Sequence, residues 1–485
     1  MSRRHVTKCN ARRARYPRSR SSIGASLPIG PAVILAIALA STLAVLVWPR
    51  AEREGLTFWT FAQHHARMYN PVIDAWNADL PPDDPRYQPV VLSTISTGAL
   101  AQRTQAGFWA QTPTADLVEV EQPMMGRFAA GPVEDIGFYD LTDIIKQEGI
   151  DQRLNPASFA PWTSRGRIFG LPHDVHPVLL CYRADLVEAA GIDVNDIETW
   201  DDFERLMRPL IADLDDNGTS DRYLLGLWYT SLDDLQVLLL QAGGGTFDTD
   251  GNSLIASDAN VQVIARVVSW CLGPDRIAID APEFSPSGNQ LKLEGRVVAA
   301  LMPDWLAGVW IDSMPALGGK LKLMPIPAWE PGGRRTSVRG GTMIAIPKTT
   351  SDFDAAWTFA KELYLSTDLA RELFVSNHII SPMMDLWDEP YYAEPSDYFS
   401  GQQSGLAFIE QALDVPPRSS SPYHQIAMQR ILDTSTRLHN YAQDNDVFDA
   451  DALEAEAKRL LEATEAIMLQ EMERNVFIAG GTSDE

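Results

Sequence analysis

An acidic loop with the spacing of a calcium site lies between residues 212 and 224. Its oxygen-bearing side chains occupy loop positions 1, 3, 5 and 9, with glycine at position 6, and they are Asp213, Asp215, Asn217 and Asp221. Position 12 should carry an acid and is Leu224, so the loop lacks one ligand. Two interpretations stay open: a structural calcium ion with a carboxylate supplied from elsewhere, or a solvated acidic turn. No other cofactor is expected.

Two histidines and three cysteines are further candidates for metal binding or nucleophilic chemistry. His173 and His176 are close in sequence, but at strand-loop positions this spacing does not define a metal site. Cys9, Cys181 and Cys271 form no C-x-x-C pair. The last two lie in apolar contexts that predict buried thiols, and a disulfide between them stays open.

The sequence carries no established catalytic pattern. Neither G-x-S-x-G nor H-E-x-x-H occurs, so we predict no catalytic residues and no enzyme activity. The 65 acidic residues guarantee some carboxylate pairs by chance, and a membrane-tethered glycoside hydrolase therefore stays an alternative.

Length and charge limit the classes of protein that this chain can be. At 485 residues it is too long for one hydrophobic core and fits two domains plus additional segments. Residues 1–50 carry nine Lys/Arg and no acidic residue, which leaves 31 basic against 65 acidic residues and a formal charge of −34 for the rest. Such an acidic surface repels nucleic acid and anionic lipid, so we expect neither as a partner.

The N-terminal segment is first basic and then apolar. Residues 1–28 form a basic tail, and Ile29 to Trp48 carry no charge. A run of about 20 apolar residues spans a bilayer, and the basic flank predicts a cytoplasmic tail with the bulk of the chain outside. Ala38-Leu39-Ala40 is typical of a signal-peptidase site, but the apolar run continues through Val47. We therefore favour an uncleaved transmembrane anchor at 29–48 over a removed signal peptide, followed by a linker at 49–55.

Strand and helix patterns alternate after this segment. Strands are predicted at 56–61, 88–93 and 116–120, with a helix between the first two, and this order is typical of parallel βαβ units. Ser351 and Thr367 are expected to begin two later helices, and Asp451 to cap the final one. The apolar stripe of that final helix comprises Leu453, Ala457, Leu460, Leu461, Thr464, Ile467 and Met468.

Residues 166–206 give the clearest sequence of elements. Residues 167–170 predict a short strand that Leu171-Pro172 interrupts, because proline donates no ladder hydrogen bond. Residues 178–182 predict a buried strand, and 185–190 a helix that Gly191 ends. Thr199 is expected to cap the next helix, with Asp202 in the capping-box position.

Several of these stretches resemble family 1 of the bacterial extracellular solute-binding proteins, and most closely its arabinose-oligosaccharide-binding members. The resemblance rests on FGLP (169–172), TWDDF (199–203), FWTF (58–61), ADLVEVEQ (115–122), FYDLTD (138–143), LEGRVVAALMPDWLAGVW (293–310) and VRGGTMIAIPK (338–348). The proline that the family usually has before TW is absent, since Ile197-Glu198 occupies that position. The resemblance implies an α/β, two-lobed periplasmic-binding-protein fold of type II-like topology with a cleft between the lobes. The first lobe would be 56–172 plus 330–379, the second 173–329 plus 380–475, and 476–485 a flexible tail.

The resemblance also implies which side chains face the cleft. Carried over by position, these are Trp59, Gln63, His64, Glu119, Gln122, His173, Asp174, His176, Tyr229, Trp305, Arg339 and Gly341. Trp59 alternates with Phe58 and Phe61, so we expect it in the core. Trp305 follows Pro303-Asp304 in an otherwise apolar segment, and we expect it to stack on a ligand.

The implied function is that of the substrate-binding component of an ABC-type importer. Such a protein would capture a sugar or oligosaccharide by hinge closure and dock on permease subunits. We expect a monomer located outside the cytoplasm, in the periplasm or at the cell surface. A non-sugar solute such as a polyol phosphate is the alternative ligand. A membrane-tethered sensory ectodomain uses the same fold, but a cytoplasmic tail of about 28 residues is too short to fold alone.

Overall fold

The computed structural model describes residues 29–47, 55–81, 83–228 and 231–475. Gly55–Glu485 is one compact unit, and helix α1 (Ile29–Val47) belongs to another, Met1–Glu54. Within the described ranges, no helix combines the length and apolar character needed to cross a membrane, so the predicted transmembrane anchor at 29–48 is not confirmed. The basic tail at 1–28, most of the linker at 49–55, the tail at 476–485 and Tyr229 lie outside the described residues.

Strands and helices alternate through the larger unit. The strands are β1 (Leu56–Thr60), β2 (Val90–Thr94), β3 (Leu117–Glu121), β4 (Thr163–Ser164), β5 (Arg167–Ile168), β6 (Leu171–Pro172), β7 (Pro177–Arg183), β8 (Tyr223–Leu227), β9 (Ala278–Asp280), β10 (Val297–Pro303), β11 (Leu321–Met324), β12 (Ser337–Val338) and β13 (Thr342–Ala345). The α-helices are α2 (Gln63–Ala78), α3 (Thr97–Ala110), α4 (Gln122–Phe128), α5 (Thr142–Gln147), α6 (Ile150–Arg153), α7 (Pro156–Phe159), α8 (Ala184–Ala189), α9 (Trp200–Met207), α10 (Leu232–Gln241), α11 (Asp258–Cys271), α12 (Pro286–Leu293), α13 (Asp304–Ser313), α14 (Phe353–Tyr364), α15 (Thr367–Asn377), α16 (Ser404–Ala412), α17 (His424–Asn445) and α18 (Ala450–Glu473). Short 3-10 helices cover Val133–Asp135, Ala160–Trp162, Val194–Asp196, Arg208–Leu210, Pro315–Leu317, Met384–Leu386 and Pro390–Ala393.

The first sheet has the strand order β2-β1-β3-β13-β6. β1 pairs in parallel with both β2 and β3, and Phe58 lies opposite Leu92 and Leu117. The predicted parallel βαβ arrangement is therefore confirmed. Because parallel strands end at the same edge of a sheet, the residues that follow Thr60 and Glu121 lie near each other.

The second sheet has the order β11-β7-β10-β8-β9, and β12 pairs with the start of β7. β7 and β10 are runs of seven residues that are almost wholly buried. Continuous apolar runs of this kind are typical of strands that are covered on both faces. Helices α10, α11, α17 and α18 contribute to the large apolar core on this sheet through residues such as Leu238, Ile264, Met428 and Leu461.

Two backbone segments that connect the sheets lie side by side. Residues 173–176 join β6 to β7, and 339–341 join β12 to β13. His173 N donates to Thr342 O at 2.9 Å, and Arg339 N donates to His176 O at 3.4 Å. A third segment follows α15, where Ile380 O accepts a hydrogen bond from Val175 N at 3.3 Å. We call residues 173–176 and 339–341 the crossovers.

The predicted interruption at Leu171-Pro172 was wrong. Arg167 and Ile168 pair with β4 in a small hairpin, whereas Leu171 and Pro172 form a strand of the first sheet opposite Ile344 and Met343. β6 is the edge strand, so the missing N–H of proline leaves no unpaired neighbour on the outer side.

Three helix ends that were predicted from the local sequence are confirmed. Asp202 N donates to Thr199 Oγ1, and the Asp202 carboxylate accepts from Thr199 N at 3.1 Å, which confirms the capping box. Gly191, with φ of +71°, ends α8 as predicted. α15 begins at Thr367 as predicted.

One predicted helix start, one predicted cap and one predicted core position were wrong. α14 begins at Phe353 rather than at Ser351, and Asp352 caps it through a hydrogen bond from Ala355 N. Asp449 rather than Asp451 caps α18, because the Asp449 carboxylate accepts from Ala452 N in the first turn. Ile467 belongs to the predicted apolar stripe of α18 but is 46% exposed.

The two described cysteines are free thiols. Cys181 is buried and Cys271 half-buried, and neither is in a disulfide. Burial raises the pKa of both thiols, that of Cys271 to about 12.

Candidate functional site

A cavity of about 750 Å³ lies between the two sheets and beside both crossovers. Residues that follow strands of the first sheet line one side, and residues of α10, α13 and the segment after β9 line the other. Its lining includes Phe61, His64, Glu121, Gln122, Asp233, Phe284, Trp305 and Arg418. A hollow of about 880 Å³ lies among α10, α11 and α18, but none of the predicted ligand residues lines it. The cavity at the crossovers is therefore the candidate site.

Six of the predicted ligand residues line this cavity. They come from α2, the start of α4, both crossovers and α13, and they are His64, Gln122, His176, Trp305, Arg339 and Gly341. The structure thus brings together residues that are up to 277 positions apart in the chain.

Five other predicted residues are described but do not line it. Gln63 is exposed at the start of α2, and Trp59 packs against the apolar cluster on one face of the first sheet, in line with the expected core position. Glu119, His173 and Asp174 are buried. Each of them forms hydrogen bonds with other buried groups.

Trp305 occupies the first turn of α13, directly after the buried strand β10. Its indole Nε1 donates to Arg339 O at 2.9 Å, so the ring is tied to the second crossover. Gly340, the middle residue of the second crossover, has to be glycine for two reasons. A Cβ there would lie 2.9 Å from both Trp305 Nε1 and His176 Cδ2, and the φ of this residue is +100°. The tryptophan ring is therefore held by backbone on one side.

Arg339 carries a buried guanidinium beside this ring. Nη1 donates to Asp234 at 2.9 Å and Nη2 to Asp233 at 3.2 Å, and Cζ lies 5.7 Å from the centre of the Trp305 ring. Burial opposes the charge on Arg339, but the two carboxylates outweigh that effect and raise its pKa. Both acids come from the first turn of α10, where carboxylates are favoured by the helix dipole.

His176 lies between two buried carboxylates at the first crossover. Nε2 is 3.0 Å from Asp174 Oδ2, and Nδ1 is 2.7 Å from Asp304 Oδ1. Burial disfavours the imidazolium, yet the two carboxylates raise the pKa of His176 to about 10, so both ring nitrogens carry protons at neutral pH. His173 Nδ1 also lies 3.2 Å from Asp174, which draws the two predicted histidines into one network.

Glu119 is the centre of a second buried network, behind the wall formed by α2. Its carboxylate accepts from Tyr69 (2.7 Å), Tyr364 (2.9 Å) and Thr60, and lies 2.9 Å from His65 Nδ1. Burial alone would raise the pKa of Glu119, but the charge of His65 and these hydrogen bonds hold it near 2.

Among the lining residues that the sequence did not indicate are Arg418, Glu121 and Phe284. Arg418 is buried in a loop between α16 and α17, its Nη1 donates to Gly340 O, and burial lowers its pKa to about 10. Burial and the carboxylates of Asp233 and Glu119 raise the pKa of Glu121. Phe284 lies in the short segment between β9 and α12. Glu121 was detectable, since it ends the strand on which Glu119 was selected; Arg418 lies in a Pro/Ser-rich loop with no periodicity.

The acidic loop predicted to bind calcium contributes no residue to the lining of the cavity. Carboxylate oxygens of Asp213, Asp215 and Asp221 all lie within 4.8 Å of one another. Asn217 Oδ1 accepts from Thr219 N at 2.8 Å, and Leu224 is buried in β8. Arg296 is 2.8 Å from Asp221, so a cation here would compete with that guanidinium.

Comparisons with known proteins agree on one family and one fold. The family model described as bacterial extracellular solute-binding protein matches residues 64–367. The chain is 25% identical over 371 residues to the arabinooligosaccharide-binding protein of Halalkalibacterium halodurans, which covers 74% of this chain and 78% of that protein.

Two solved structures show the likeness of the fold. The sugar-binding protein MalE from Xanthomonas citri has a TM-score of 0.66 at 17% identity, over 86% of this chain and 99% of that one. The ABC transporter associated binding protein from B. animalis subsp. lactis Bl-04, in complex with beta-1,6-galactobiose, has a TM-score of 0.61 at 15% identity, over 88% and 99%. This chain therefore has the mixed α/β fold of the periplasmic binding proteins, as predicted.

Replacing Glu119 with Gln tests the buried network. An amide oxygen cannot accept from every donor that surrounds Glu119, so the variant should lose on the order of 3 kcal/mol of stability at neutral pH. The pKa of the native carboxylate, about 2, lies below its ordinary value of 4.5. Its contribution is therefore fully present above about pH 4.5 and is lost as the pH falls toward 2.

Denaturant unfolding at a series of pH values measures this difference. The wild type should lose stability on acidification more steeply than Glu119→Gln. Glu188→Gln, which removes an exposed partner of Lys322, is the control and should change neither quantity appreciably. If the unfolding free energies of the wild type and Glu119→Gln depend on pH in the same way, the lowered pKa of Glu119 is contradicted.

Proposed function

The chain belongs to the family of bacterial extracellular solute-binding proteins, and from this we propose that it is the substrate-binding component of an ABC-type importer. Membership of this family implies a location outside the cytoplasm, as predicted. In the proposal the loaded protein docks on permease subunits as a monomer. Attachment to the membrane through residues 29–48 stays part of the proposal and rests on the charge-free sequence beside a basic flank.

The proposed ligand is a sugar or oligosaccharide. The observation that carries this choice is the composition of the cavity, where an indole ring lies beside charged and amide groups. A sugar ring has an apolar face that packs on an aromatic ring and a rim of hydroxyls that need donors and acceptors. Arg418, Gln122 and Glu121 offer both kinds of partner around Trp305. The name of the relative from Halalkalibacterium halodurans supports an arabinose-based oligosaccharide.

Hinge closure is the proposed mode of capture. The two lobes, 56–172 plus 330–379 and 173–329 plus 380–475, would rotate about the crossovers, and ligand contacts from both sides would favour the closed form. Because the ligand shifts this equilibrium only through its different affinity for the two forms, residues of both sheets must contact it. His64 and Gln122 line one side of the cavity and Trp305 and Asp233 line the other, so both sides offer groups for such contacts.

A structural calcium ion at the acidic loop is a separate proposal. The three clustered carboxylates supply hard oxygen ligands, and water or a carboxylate from elsewhere would complete the coordination. The ion would stabilise the connection between α9 and β8 and take no part in ligand binding.

Binding without turnover is the direct expectation of the proposed function. Calorimetric titration of the purified full chain should show binding of arabinose-based oligosaccharides, with the sugar recovered unchanged after prolonged incubation. Accumulation of shorter sugars would instead favour a glycoside hydrolase. If the protein binds a polyol phosphate but no sugar, the proposal of a sugar ligand is wrong.

Trp305→Ala tests the placement of the ligand. Loss of one stacking surface should remove about 2–3 kcal/mol of binding energy, which is a 30- to 150-fold loss of affinity at about 1.4 kcal/mol per tenfold. Trp109→Ala is the matched control, since Trp109 is 78% exposed on α3 and does not line the cavity.

Affinity and melting temperature have to be measured together for both variants. The half-buried Trp305 also packs against two apolar cores, so some loss of stability is expected as well. A large loss of stability with unchanged affinity of the folded protein would place Trp305 outside the ligand site.

Calcium binding is tested by the melting temperature in the presence of chelator. The calcium-loaded protein should melt at lower temperature once chelator is added, since a ligand at 100 times its Kd stabilises by about 2.7 kcal/mol. Asp215→Ala should abolish this sensitivity, and Asp250→Ala, at an exposed turn elsewhere, should preserve it. If calcium adds no stability to protein first freed of metal, the loop is only a turn.

A further inference from the structure

Arg418 is a buried arginine without a carboxylate partner. It is 7% exposed in the loop between α16 and α17, and its Nη1 donates to Gly340 O. Within the part of the chain that the structure describes, this carbonyl is its only hydrogen-bond acceptor, and no carboxylate oxygen lies within 4.0 Å of the guanidinium. A guanidinium carries several N–H donors, so most of the hydrogen-bonding capacity of Arg418 is unused.

Arg339, a second buried arginine at the same cavity, is paired. Burial alone would lower its pKa, but Asp234 and Asp233, which accept from the guanidinium at 2.9 and 3.2 Å, raise it. Burial lowers the pKa of Arg418 to about 10, and Asp174, which offsets part of this effect, is already in contact with two histidines of the first crossover. A buried charge is costly unless it is paired, so Arg418 lacks an anion that Arg339 has.

Arg418 and Gln122 lie side by side at the wall of the cavity. Both line it, and both border Gly341, where a Cβ would lie 2.6 Å from Arg418 Nη2 and 3.6 Å from Gln122 Cβ. The φ of Gly341 is +124°, so glycine is needed here for the backbone as well as for the guanidinium. The carboxylates that line the cavity are all more than 4.0 Å from Arg418, and they are Glu121, Asp233 and Asp312. The protein therefore supplies a positive charge and an amide at this wall, and no anion for them.

We propose that Arg418 binds a carboxylate of the ligand, and that the preferred ligand is therefore an oligosaccharide with a uronic acid residue. This inference rests on the proposed function and narrows it from sugars in general to acidic sugars. The two oxygens of a carboxylate match two N–H groups of a guanidinium, and the amide of Gln122 offers a further donor beside them. The ligand then gives Arg418 the negative charge that Asp233 and Asp234 give Arg339.

Two sugar chains that differ only in one charge test this inference. One is an arabinose-based oligosaccharide that carries a glucuronic acid residue, and the other is the same chain after reduction of that carboxyl group to a hydroxymethyl group. In calorimetric titrations the full chain should bind the acidic form about 10-fold more tightly or better, because hydrogen bonds between charged groups are stronger than neutral ones. A third titration with a polyol phosphate distinguishes a carboxylate from a phosphate as the bound anion.

Arg418→Gln should remove the preference for the acidic chain, and Arg418→Lys, which keeps a positive charge, should retain part of it. Loss of the bond to Gly340 O would weaken the binding of both chains alike, so the ratio of the two affinities separates recognition of charge from a structural role. Arg165→Gln is the matched control and should leave this ratio unchanged. Arg165 also donates to backbone carbonyls, those of Gly131 and Ala129, but does not line the cavity.

Equal affinity of the wild type for the acidic and the neutral chain would overturn the inference while leaving the proposed function intact. An unchanged affinity ratio in Arg418→Gln would also overturn it, since the guanidinium would then serve only to hold Gly340. Tighter binding of the polyol phosphate than of the acidic chain would show that the bound anion is a phosphate, which contradicts a uronic acid ligand. A wild type that binds neither chain would contradict the proposed sugar ligand and this inference with it.

Discussion

A protonated histidine buried between two carboxylates holds the molecule together at the place where the chain passes from one sheet to the other. His176 lies between Asp174 and Asp304, at 3.0 and 2.7 Å. Asp304 in turn accepts from Trp305 N at 2.8 Å and from Ile380 N at 2.7 Å. A buried charge is costly unless it is paired and hydrogen-bonded, so each member fixes the position of the others. One carboxylate thereby links the first crossover, the start of α13 and the segment after α15.

The cavity is a consequence of this arrangement. The second crossover lies against His176 because glycine at position 340 admits both the imidazole and the indole. Arg339 is held by Asp233 and Asp234, and Arg418 by Gly340 O. The polar groups around Trp305 are therefore oriented before any ligand arrives, and such preorganisation reduces the entropy lost on binding. The proposed hinge closure would require the two sheets to move as bodies while these buried ion pairs at the crossovers persist.

The sequence predicted best those features that depend on neighbouring residues. The capping box at Thr199 and the parallel pairing of β1 with β3 follow from local pattern and from element order. Trp305 was predicted to face the cleft, and it lines the cavity because a buried strand ends immediately before it. The expected interruption at Pro172 failed because the rule for proline does not say which strand will be at an edge.

Features that depend on distant partners were out of reach of the sequence. Glu119 was expected in the cleft, but its buried carboxylate accepts hydrogen bonds from Tyr69 and Tyr364. Tyr364 lies 245 positions after Glu119 in the chain. Arg418 lies in a loop without periodicity, and the positive φ of Phe284 leaves no trace in its residue type. Each of these residues is determined by tertiary contacts that no local pattern encodes.

The placement of the ligand can be tested by a crystal structure of the full chain grown with an arabinose-based oligosaccharide. We expect an intact sugar chain between the two sheets, with one ring against Trp305 and with hydroxyls in contact with groups from both sides, Arg418 and Gln122 among them. Sugar bound only in the hollow among α10, α11 and α18, or a cleaved product in the cavity, would contradict it.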